Sequence, residues 1–267
     1  LFRSSGIRFD QQLADLQFSC RVSGTPPIDK ENLHEYFTDL ELRNFNSTGI
    51  MYGVIAGLDA WKDAGLEISA DENPDWDSGT IFGAGALVIE DLESALARNA
   101  KIYCEILGGN INSGGQRGGG SMTAPNSTAV QKCVKDAIKD SGIEAKDIDY
   151  ISGHLTATSK DATEIQNLAT ALNRSGKHFP SINSMKALTG HCLSAAASIE
   201  CVATVLQLSE NFIAPNINCE DLNEEISAMI DADCIPLNLL EKEINIAAKV
   251  SFGFGDVNGC VIFKKYS

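Results

Sequence analysis

Residues 149–172 read DYISGHLTATSKDATEIQNLATAL and contain three successive patterns. Asp149 to Gly153 is a short apolar segment that predicts a β-strand, and Asp161 to Leu172 has the apolar spacing of a helix. Between them lies a run of small and hydroxyl residues that opens at His154. Because α/β proteins repeat strand and helix and place reactive groups at strand ends, the stretch predicts an α/β fold with His154 near a site.

The same alternation extends on both sides of this stretch. It predicts a helix from Ser47 to Leu66, a helix-like turn from Glu90 to Asn99, and a helix near Ser127 with Val130, Val134 and Ile138 on one face. The predicted strands are Thr80 to Ile89, Lys101 to Leu107, Ser181 to Ser184, Ile244 to Gly255 and Gly259 to Lys264. The last two, joined by a Gly/Asp/Asn turn, predict an antiparallel pair. The whole pattern favours a layered α/β protein.

Two segments between these elements lack a clear period. Glu67 to Ser78 is acidic and polar, which predicts a loop. Gly108 to Pro125, GGNINSGGQRGGGSMTAP, is rich in glycine and precedes a predicted helix, so a phosphate-binding loop is one interpretation. It has neither the GK[ST] of a P-loop nor the GxGxxG of a dinucleotide fold, and we favour a loop that faces a substrate or an interface.

The composition excludes several classes of function. Among 267 residues, 36 Asp and Glu outnumber 21 Lys and Arg, which gives a formal charge of −15. This charge excludes a nucleic-acid-binding domain that neutralises phosphates. No apolar stretch approaches the roughly 18 residues of a membrane span, and no secretory leader is evident, so we expect a cytoplasmic protein without a membrane segment.

The eight cysteines do not form a metal or redox motif. They are Cys20, Cys104, Cys133, Cys192, Cys201, Cys219, Cys234 and Cys260, and neither CxxC nor CxxH spacing occurs among them. We therefore expect no metal site, and we expect most of these thiols to be buried apolar side chains.

Two of the four histidines stand beside small or hydroxyl residues. His154 follows a predicted strand, and His191 falls in the first turn of a predicted helix from Thr189 to Leu208. A helix N-terminus favours a neutral imidazole, which donates a hydrogen bond to a carbonyl oxygen. An ordinary structural histidine is the alternative for each, and we assign His34 and His178 to that role.

Three motifs, in order, resemble the β-ketoacyl-acyl carrier protein synthases, the condensing enzymes of the thiolase superfamily. They are GHLTATSKDATE at 153–164, SMKALTGHCLSAAAS at 184–198 and SFGFGDVNG at 251–259. GAGALVIEDLESALARNAKIYCEILGG at 83–109 and SMTAPN at 121–126 also resemble the family. The likeness is continuous over 83–267, which we expect to be the C-terminal half of the fold, and residues 1–82 resemble parts of the N-terminal half.

The resemblance implies a thiolase-like five-layer α-β-α-β-α sandwich, normally a homodimer. It also implies a decarboxylative Claisen condensation in fatty acid or polyketide synthesis, in which a cysteine holds the acyl chain and malonyl-acyl carrier protein loses CO2. His154 and His191 would donate to the malonyl thioester oxygen, and Lys186 would orient the second histidine. No cofactor is implied beyond the phosphopantetheine of the carrier.

The resemblance also assigns substrate contacts. Thr156 and Thr158 would hold the pantetheine arm, and Phe254 would be a mobile gate, with freedom supplied by the flanking glycines. The residues of this gate segment are Phe252, Gly253, Phe254 and Gly255. Core packing is the alternative for the two phenylalanines.

The sequence departs from the family pattern at three places. Leu155 stands where the family has Gly or Ala, and Asp161 lies one position closer to the histidine, which leaves its role open. No cysteine has the setting of the family nucleophile, between small and hydroxyl residues at a strand-to-helix elbow. FGAG at 82–85 reads both as the end of one strand and as the start of another, and the sequence begins with Leu1. We therefore expect it to be an incomplete copy of a longer synthase that lacks the nucleophile segment.

Two other hypotheses remain. The first is a non-condensing relative, either a partner subunit like the chain-length factors or a malonyl decarboxylase. The second is an unrelated thiolase-fold binding protein, which would have no reason to keep three motifs in order. Because acyl carrier proteins are acidic and this chain carries −15, docking requires a local basic patch. Arg98 and Lys101 are candidates, with an ordinary solvated face as the alternative.

Overall fold

The computed structural model describes residues 85–267 without a gap and, before them, residues 7–9, 11, 15, 22–24, 30–44, 48–66 and 78–82. The chain divides into two compact units. Tyr103–His191 and Ala203–Ser267 form the first unit, and Gly6–Ile102 and Cys192–Val202 form the second. Residues 67–77 of the predicted acidic loop, and Cys20, lie outside the described residues.

Strands and helices alternate along the described chain. The strands are β1 Ile7–Phe9, β2 Val22–Gly24, β3 Ser78–Phe82, β4 Ala86–Glu90, β5 Cys104–Ser113, β6 Tyr150–Ser152, β7 Ser181–Asn183, β8 Phe212–Ile213, β9 Leu240–Glu241, β10 Ile246–Gly253 and β11 Val257–Lys265. The α-helices are α1 Lys30–Leu33, α2 Asp39–Asn44, α3 Thr48–Asp63, α4 Leu92–Ala97, α5 Ser127–Asp140, α6 Asp161–Leu172, α7 Lys186–Thr189, α8 Ala196–Glu210 and α9 Glu224–Ser227.

The first unit is built on a five-stranded mixed sheet with the strand order β5-β11-β10-β6-β7. Strands β10, β6 and β7 are parallel to one another. Strand β11 is antiparallel to both of its neighbours, β10 and β5. The predicted antiparallel pair at the end of the chain is therefore confirmed. The described residues show a mixed α/β protein, and the five-layer sandwich stays a prediction.

Helices α5 and α6 pack over one face of this sheet. The face of α5 that the sequence predicts to be apolar is buried, with Val130, Val134 and Ile138 at 0%, 2% and 9% exposure. The side chain of Asn126 begins the helix, because its oxygen accepts the backbone N–H groups of residues 128 and 129. Helix α6 has the predicted bounds. Both helix predictions are confirmed.

A buried polar network ties β6 and β7 to helix α8. Tyr150 Oη donates to Asn183 Oδ1 at 2.5 Å, and Gln207 Nε2 donates to Tyr150 Oη at 3.0 Å. Asn183 Nδ2 in turn donates to Gln207 Oε1 at 3.0 Å. Since successive strand residues face opposite ways and Ile151 belongs to the core with α5 and α6, Tyr150 faces the other side of the sheet. Helices therefore cover both faces, and the network fixes the parallel strands.

The second unit contains the antiparallel hairpin β3–β4 and helices α3 and α4. Arg98, which follows α4, donates to both carboxylate oxygens of Glu90 and, at 2.5 Å, to the carbonyl of Ala64. A guanidinium held by three oxygens is a structural group. This arrangement argues against a docking role for Arg98, and it also differs from the solvated face that was the alternative.

Three predicted elements differ from the structure. The strand predicted from Thr80 to Ile89 is the hairpin β3–β4, in agreement with the double reading of FGAG. The Gly-rich loop begins at Gly114, because Gly108 to Ser113 pair with β11 as part of β5. The helix predicted from Thr189 to Leu208 is wrong in its first turns: α8 begins at Ala196, after positive φ values at Gly190 (76°) and Leu193 (51°). No helix in the described part of the chain could cross a membrane.

Candidate active site

The site forms where three parallel strands end. His154 follows β6, Lys186 follows β7, and Phe252 and Gly253 are the last residues of β10. Because β6, β7 and β10 are parallel neighbours, their carboxyl ends meet at one edge of the sheet. This topology brings together residues that are about 100 positions apart in the chain.

The two predicted catalytic histidines face each other. The ring centroids of His154 and His191 are 5.6 Å apart with an interplanar angle of 85°, and the ring of Phe252 lies 6.0 Å from His154. Burial lowers the pKa of His154 to about 3, and the positive charges of Lys186 and Lys249 and the neighbouring His191 act in the same direction. At neutral pH the His154 imidazole is therefore uncharged and can donate one hydrogen bond.

The position of His191 differs from the prediction. It lies between α7 and a 3-10 turn at Leu193–Ala195, and not in the first turn of a long helix. The positive φ of Gly190 turns the chain between α7 and this histidine. This turn places His191 next to His154. Because His191 is not at the N-terminus of a long helix, the expected effect of a helix dipole on its charge does not apply.

Glu164 is a functional candidate that sequence reasoning missed. One carboxylate oxygen accepts the His154 N–H at 2.7 Å and the other accepts the Leu155 N–H at 2.9 Å. The side chain is 8% exposed, and burial raises its pKa to about 7, while the charges of Lys249 and Lys186 oppose that rise. Glu164 therefore fixes the backbone that carries His154. The sequence signal that could have identified Glu164 was an acidic residue among the apolar positions of the predicted helix.

Lys249 is a second missed residue. It is 3% exposed, and its ammonium group donates to the carbonyl of Val250 and, at 2.9 Å, to Ser251 Oγ. It lies in β10 and pairs with Ser152 of β6, and Ser152 precedes His154 by two residues. A lysine inside the apolar run that precedes Phe252 was the signal. Together with the buried Lys186, it gives the site two ammonium groups near His154 and Glu164.

The two predicted pantetheine contacts lie in a tight turn after His154. Thr156 Oγ1 and Thr158 Oγ1 are 3.2 Å apart. Asp161 accepts the backbone N–H groups of residues 156, 157 and 158, at 3.0, 3.0 and 3.4 Å. The role left open for Asp161 is therefore that of an acceptor that closes this turn at the start of α6.

The predicted gate segment is joined to the Gly-rich loop. Phe252 is buried, whereas Phe254 is 68% exposed at a turn where Gly255 has φ +84°. Asp256, fully buried, accepts the N–H groups of Gln116 at 3.0 Å and Asn126 at 2.7 Å. A Cβ at Gly114 would lie only 2.1 Å from the Asp256 carboxylate, so the loop must have glycine there. Sequence reasoning missed this role of Asp256.

Most of these residues line one cavity of about 460 Å³. The predicted site residues that line it are His154, His191, Thr156, Thr158, Phe252, Gly253 and Phe254. Lys186 does not line it, and its charge contributes to the lowered pKa of His154. Its expected role in orienting His191 stays a prediction. The described residues contain no cluster of three or more His, Cys, Asp or Glu side chains that could hold a metal ion.

Comparison with known proteins places this arrangement in a family. Residues 103–220, which contain both histidines, match the family model for the C-terminal domain of β-ketoacyl synthases. The chain belongs to the β-ketoacyl synthase family. It is 38% identical over 192 residues to 3-oxoacyl-[acyl-carrier-protein] synthase 1 of Haemophilus influenzae, over 72% of this chain and 44% of that synthase. It thus spans less than half the length of this relative.

Solved ketosynthases have a similar fold. One is the AntDE:AntF complex of a type II polyketide acyl carrier protein with its ketosynthase, with a TM-score of 0.61 and 30% identity over 68% of this chain and 43% of that chain. Another is the ishigamide ketosynthase/chain length factor, with a TM-score of 0.62 and 27% identity over 81% of this chain and 58% of that chain.

Four of the described cysteines differ from the reactive thiol that a β-ketoacyl synthase is expected to need. Burial raises the pKa of Cys133 to about 11 and that of Cys260 to about 12, and it also raises the pKa of Cys219 and Cys234. A nucleophile requires the opposite shift, because the thiolate is the attacking form. Among the described residues, no cysteine lines the cavity.

Proposed function

We propose that this chain is part of a 3-oxoacyl-[acyl-carrier-protein] synthase that joins an acyl thioester to malonyl-acyl carrier protein by decarboxylative Claisen condensation. The observation that carries the proposal is the uncharged, half-buried His154 facing His191 in a cavity at the strand ends. The cavity volume is within the range of small-molecule sites.

The first step is decarboxylation. The bond between the malonyl methylene carbon and its carboxylate breaks, CO2 leaves, and the electron pair passes into an enolate whose oxygen becomes negative. His154 and His191 donate hydrogen bonds to that oxygen, and they hold their geometry before the charge develops. Burial, together with the charges of Lys186 and Lys249, keeps His154 uncharged, and the two ammonium groups give the site a positive potential that favours the enolate.

The second step forms the carbon–carbon bond. The enolate carbon attacks the carbonyl of an acyl group held as a cysteine thioester, and the cysteine thiolate leaves. We infer that this cysteine belongs to a segment outside the present sequence. Thr156 and Thr158 position the pantetheine arm, and Phe254, exposed beside Gly253 and Gly255, gates the cavity.

The wider assignment belongs to the same proposal. Residues 1–82 correspond to parts of the N-terminal half and residues 83–267 to the C-terminal half, which would form one homodimeric five-layer protein. An acyl carrier protein is the proposed partner, supported by the solved complex of a similar ketosynthase with its carrier. Cytoplasmic location and the choice between fatty acid and polyketide synthesis also remain predictions.

A second candidate is decarboxylation without condensation, either in a malonyl decarboxylase or in a partner subunit. Its support is that no described cysteine lines the cavity, whereas both histidines do. A similar solved structure pairs a ketosynthase with a chain length factor.

The test is incubation of the full chain with malonyl-acyl carrier protein and an acyl donor, with products read by mass spectrometry. We expect conversion to acetyl-acyl carrier protein, lowered about 100-fold or more in His154→Gln and in His191→Gln, because each removes an oxyanion donor. His178→Gln, at an exposed position, is the matched control and should leave turnover unchanged. Acetyl product alone is expected of this chain under both candidates, because the inferred nucleophile lies outside the sequence. A 3-oxoacyl product would establish condensation and would contradict that inferred location of the nucleophile. No turnover by the unaltered chain would contradict both steps.

A further inference from the structure

Asn167 lines the same cavity but has no part in the chemistry described above. It lies on α6, one helical turn beyond Glu164, and is 2% exposed. Its Oδ1 accepts Gln131 Nε2 at 3.0 Å, which fixes the orientation of the amide. Among the described residues, no acceptor lies within hydrogen-bonding distance of its Nδ2. The cavity wall therefore contains a buried N–H donor that is oriented but not paired.

Folding alone does not account for this side chain. Asparagine is a poor helix former, and its neighbours on the buried side of α6 are the apolar Leu168 and Ala171. A buried donor that stays unpaired destabilises a protein, so native structures almost always give such groups a partner. A donor of this kind at a cavity wall is explained by a partner that the bound ligand supplies.

The charge of the surroundings limits the chemistry of that ligand. An amide N–H requires an oxygen acceptor. Glu164 and Asp161 line the same cavity as Lys160, and Lys186 and Lys249 lie near Glu164, so the wall has charges of both signs and does not select an anion. Apolar residues, among them Val130 and Pro125, also line the cavity. A neutral carbonyl oxygen pairs with the donor and adds no charge to this mixed wall.

We propose that Asn167 binds a neutral carbonyl oxygen of the thioester substrate. The inference rests on the proposed function, since that function supplies the thioester. Two parts of such a substrate have this chemistry: an amide of the pantetheine arm and an oxo group of the acyl chain.

Side-chain amide signals in ¹⁵N NMR spectra of the full chain test the binding directly, without turnover. The signal pair lost in Asn167→Asp identifies Asn167. We expect this pair to shift on addition of pantetheine if the arm is the source. It would shift instead with S-ethyl 3-oxobutanethioate, which has oxo groups but no amide, if the acyl chain is the source. No shift at saturating concentrations of either probe would overturn the inference, even if malonyl turnover upheld the proposed function.

Kinetics with malonyl-pantetheine supply an independent readout. Asn167→Leu should raise KM about five- to tenfold with kcat nearly unchanged, as expected for one lost hydrogen bond in binding. Asn167→Asp should raise KM at pH 8. As the pH falls, its KM should return toward that of the unaltered protein, because a protonated carboxyl group can donate a hydrogen bond again. Gln166→Leu, at an exposed position of the same helix, is the matched control. Equal KM values for the Asn167 and Gln166 variants, or no recovery at low pH, would contradict the proposed contact.

Discussion

Replacement of Glu164 by Gln should change how the stability of the protein depends on pH. Burial raises the pKa of Glu164 from its ordinary value of 4.5 to about 7. A carboxyl whose pKa is raised by folding binds its proton more tightly in the folded state. Its contribution to stability is therefore fully present below pH 4.5 and is lost as the pH rises to about 7.

The magnitude follows from the difference between the two pKa values. A shift of about 2.5 units at 1.36 kcal/mol per unit corresponds to about 3 kcal/mol of folding free energy. Glutamine has no proton to lose, so the variant lacks this component. The unfolding free energy of Glu164→Gln, relative to that of the unaltered protein, should therefore rise by about 3 kcal/mol between pH 4.5 and pH 8.

Urea unfolding at five pH values across this range, followed by circular dichroism, measures the difference. The depressed pKa of His154 contributes in the opposite direction, with stability lost as the pH falls from 6.5 toward about 3. That contribution is common to both proteins, and it cancels when one curve is subtracted from the other. A difference curve that stays flat within about 0.5 kcal/mol from pH 4.5 to 8 would refute the burial argument.

Two further changes test the supports of the site. Asp256→Asn weakens the charge-assisted bonds to Gln116 and Asn126, and we expect a loss of about 2 kcal/mol in unfolding free energy together with faster tryptic cleavage at Arg117. Unchanged cleavage kinetics would contradict the anchoring role. Lys249→Met removes a positive charge near His154, and the pKa of His154, followed by NMR titration, should rise toward its ordinary value. A pKa that stays as low as before would contradict a contribution from Lys249 and would leave the depression to burial, Lys186 and His191.

The elements of this fold were predictable where the pattern is local. The apolar face of α5 and the bounds of α6 follow from spacing within one segment, and His154 lies just after a strand, as predicted. The start of α8 was not predictable from apolar spacing, because the interruption depends on positive φ angles at Gly190 and Leu193.

The residues that support the site were harder to find than those that line it. Glu164, Lys249 and Asp256 are polar side chains whose role appears only when distant backbone and charges surround them. A sequence window cannot distinguish a buried carboxylate from a solvated one, since the difference lies in tertiary partners. The proposed nucleophile is a different case, because no cysteine of the sequence has the setting that the family resemblance implies.

The position of β11 in the sheet has a consequence for how the protein is made. This strand, at residues 257–265, lies between β5 and β10, so β5 has no described partner in the sheet until the last strand is added. A ribosome releases residues 104–113 long before residues 257–265 exist. During synthesis β5 is therefore an open strand edge, which favours association with other chains. Completion of the described sheet, and with it the turn that anchors the Gly-rich loop, waits until residues 257–265 have been synthesised.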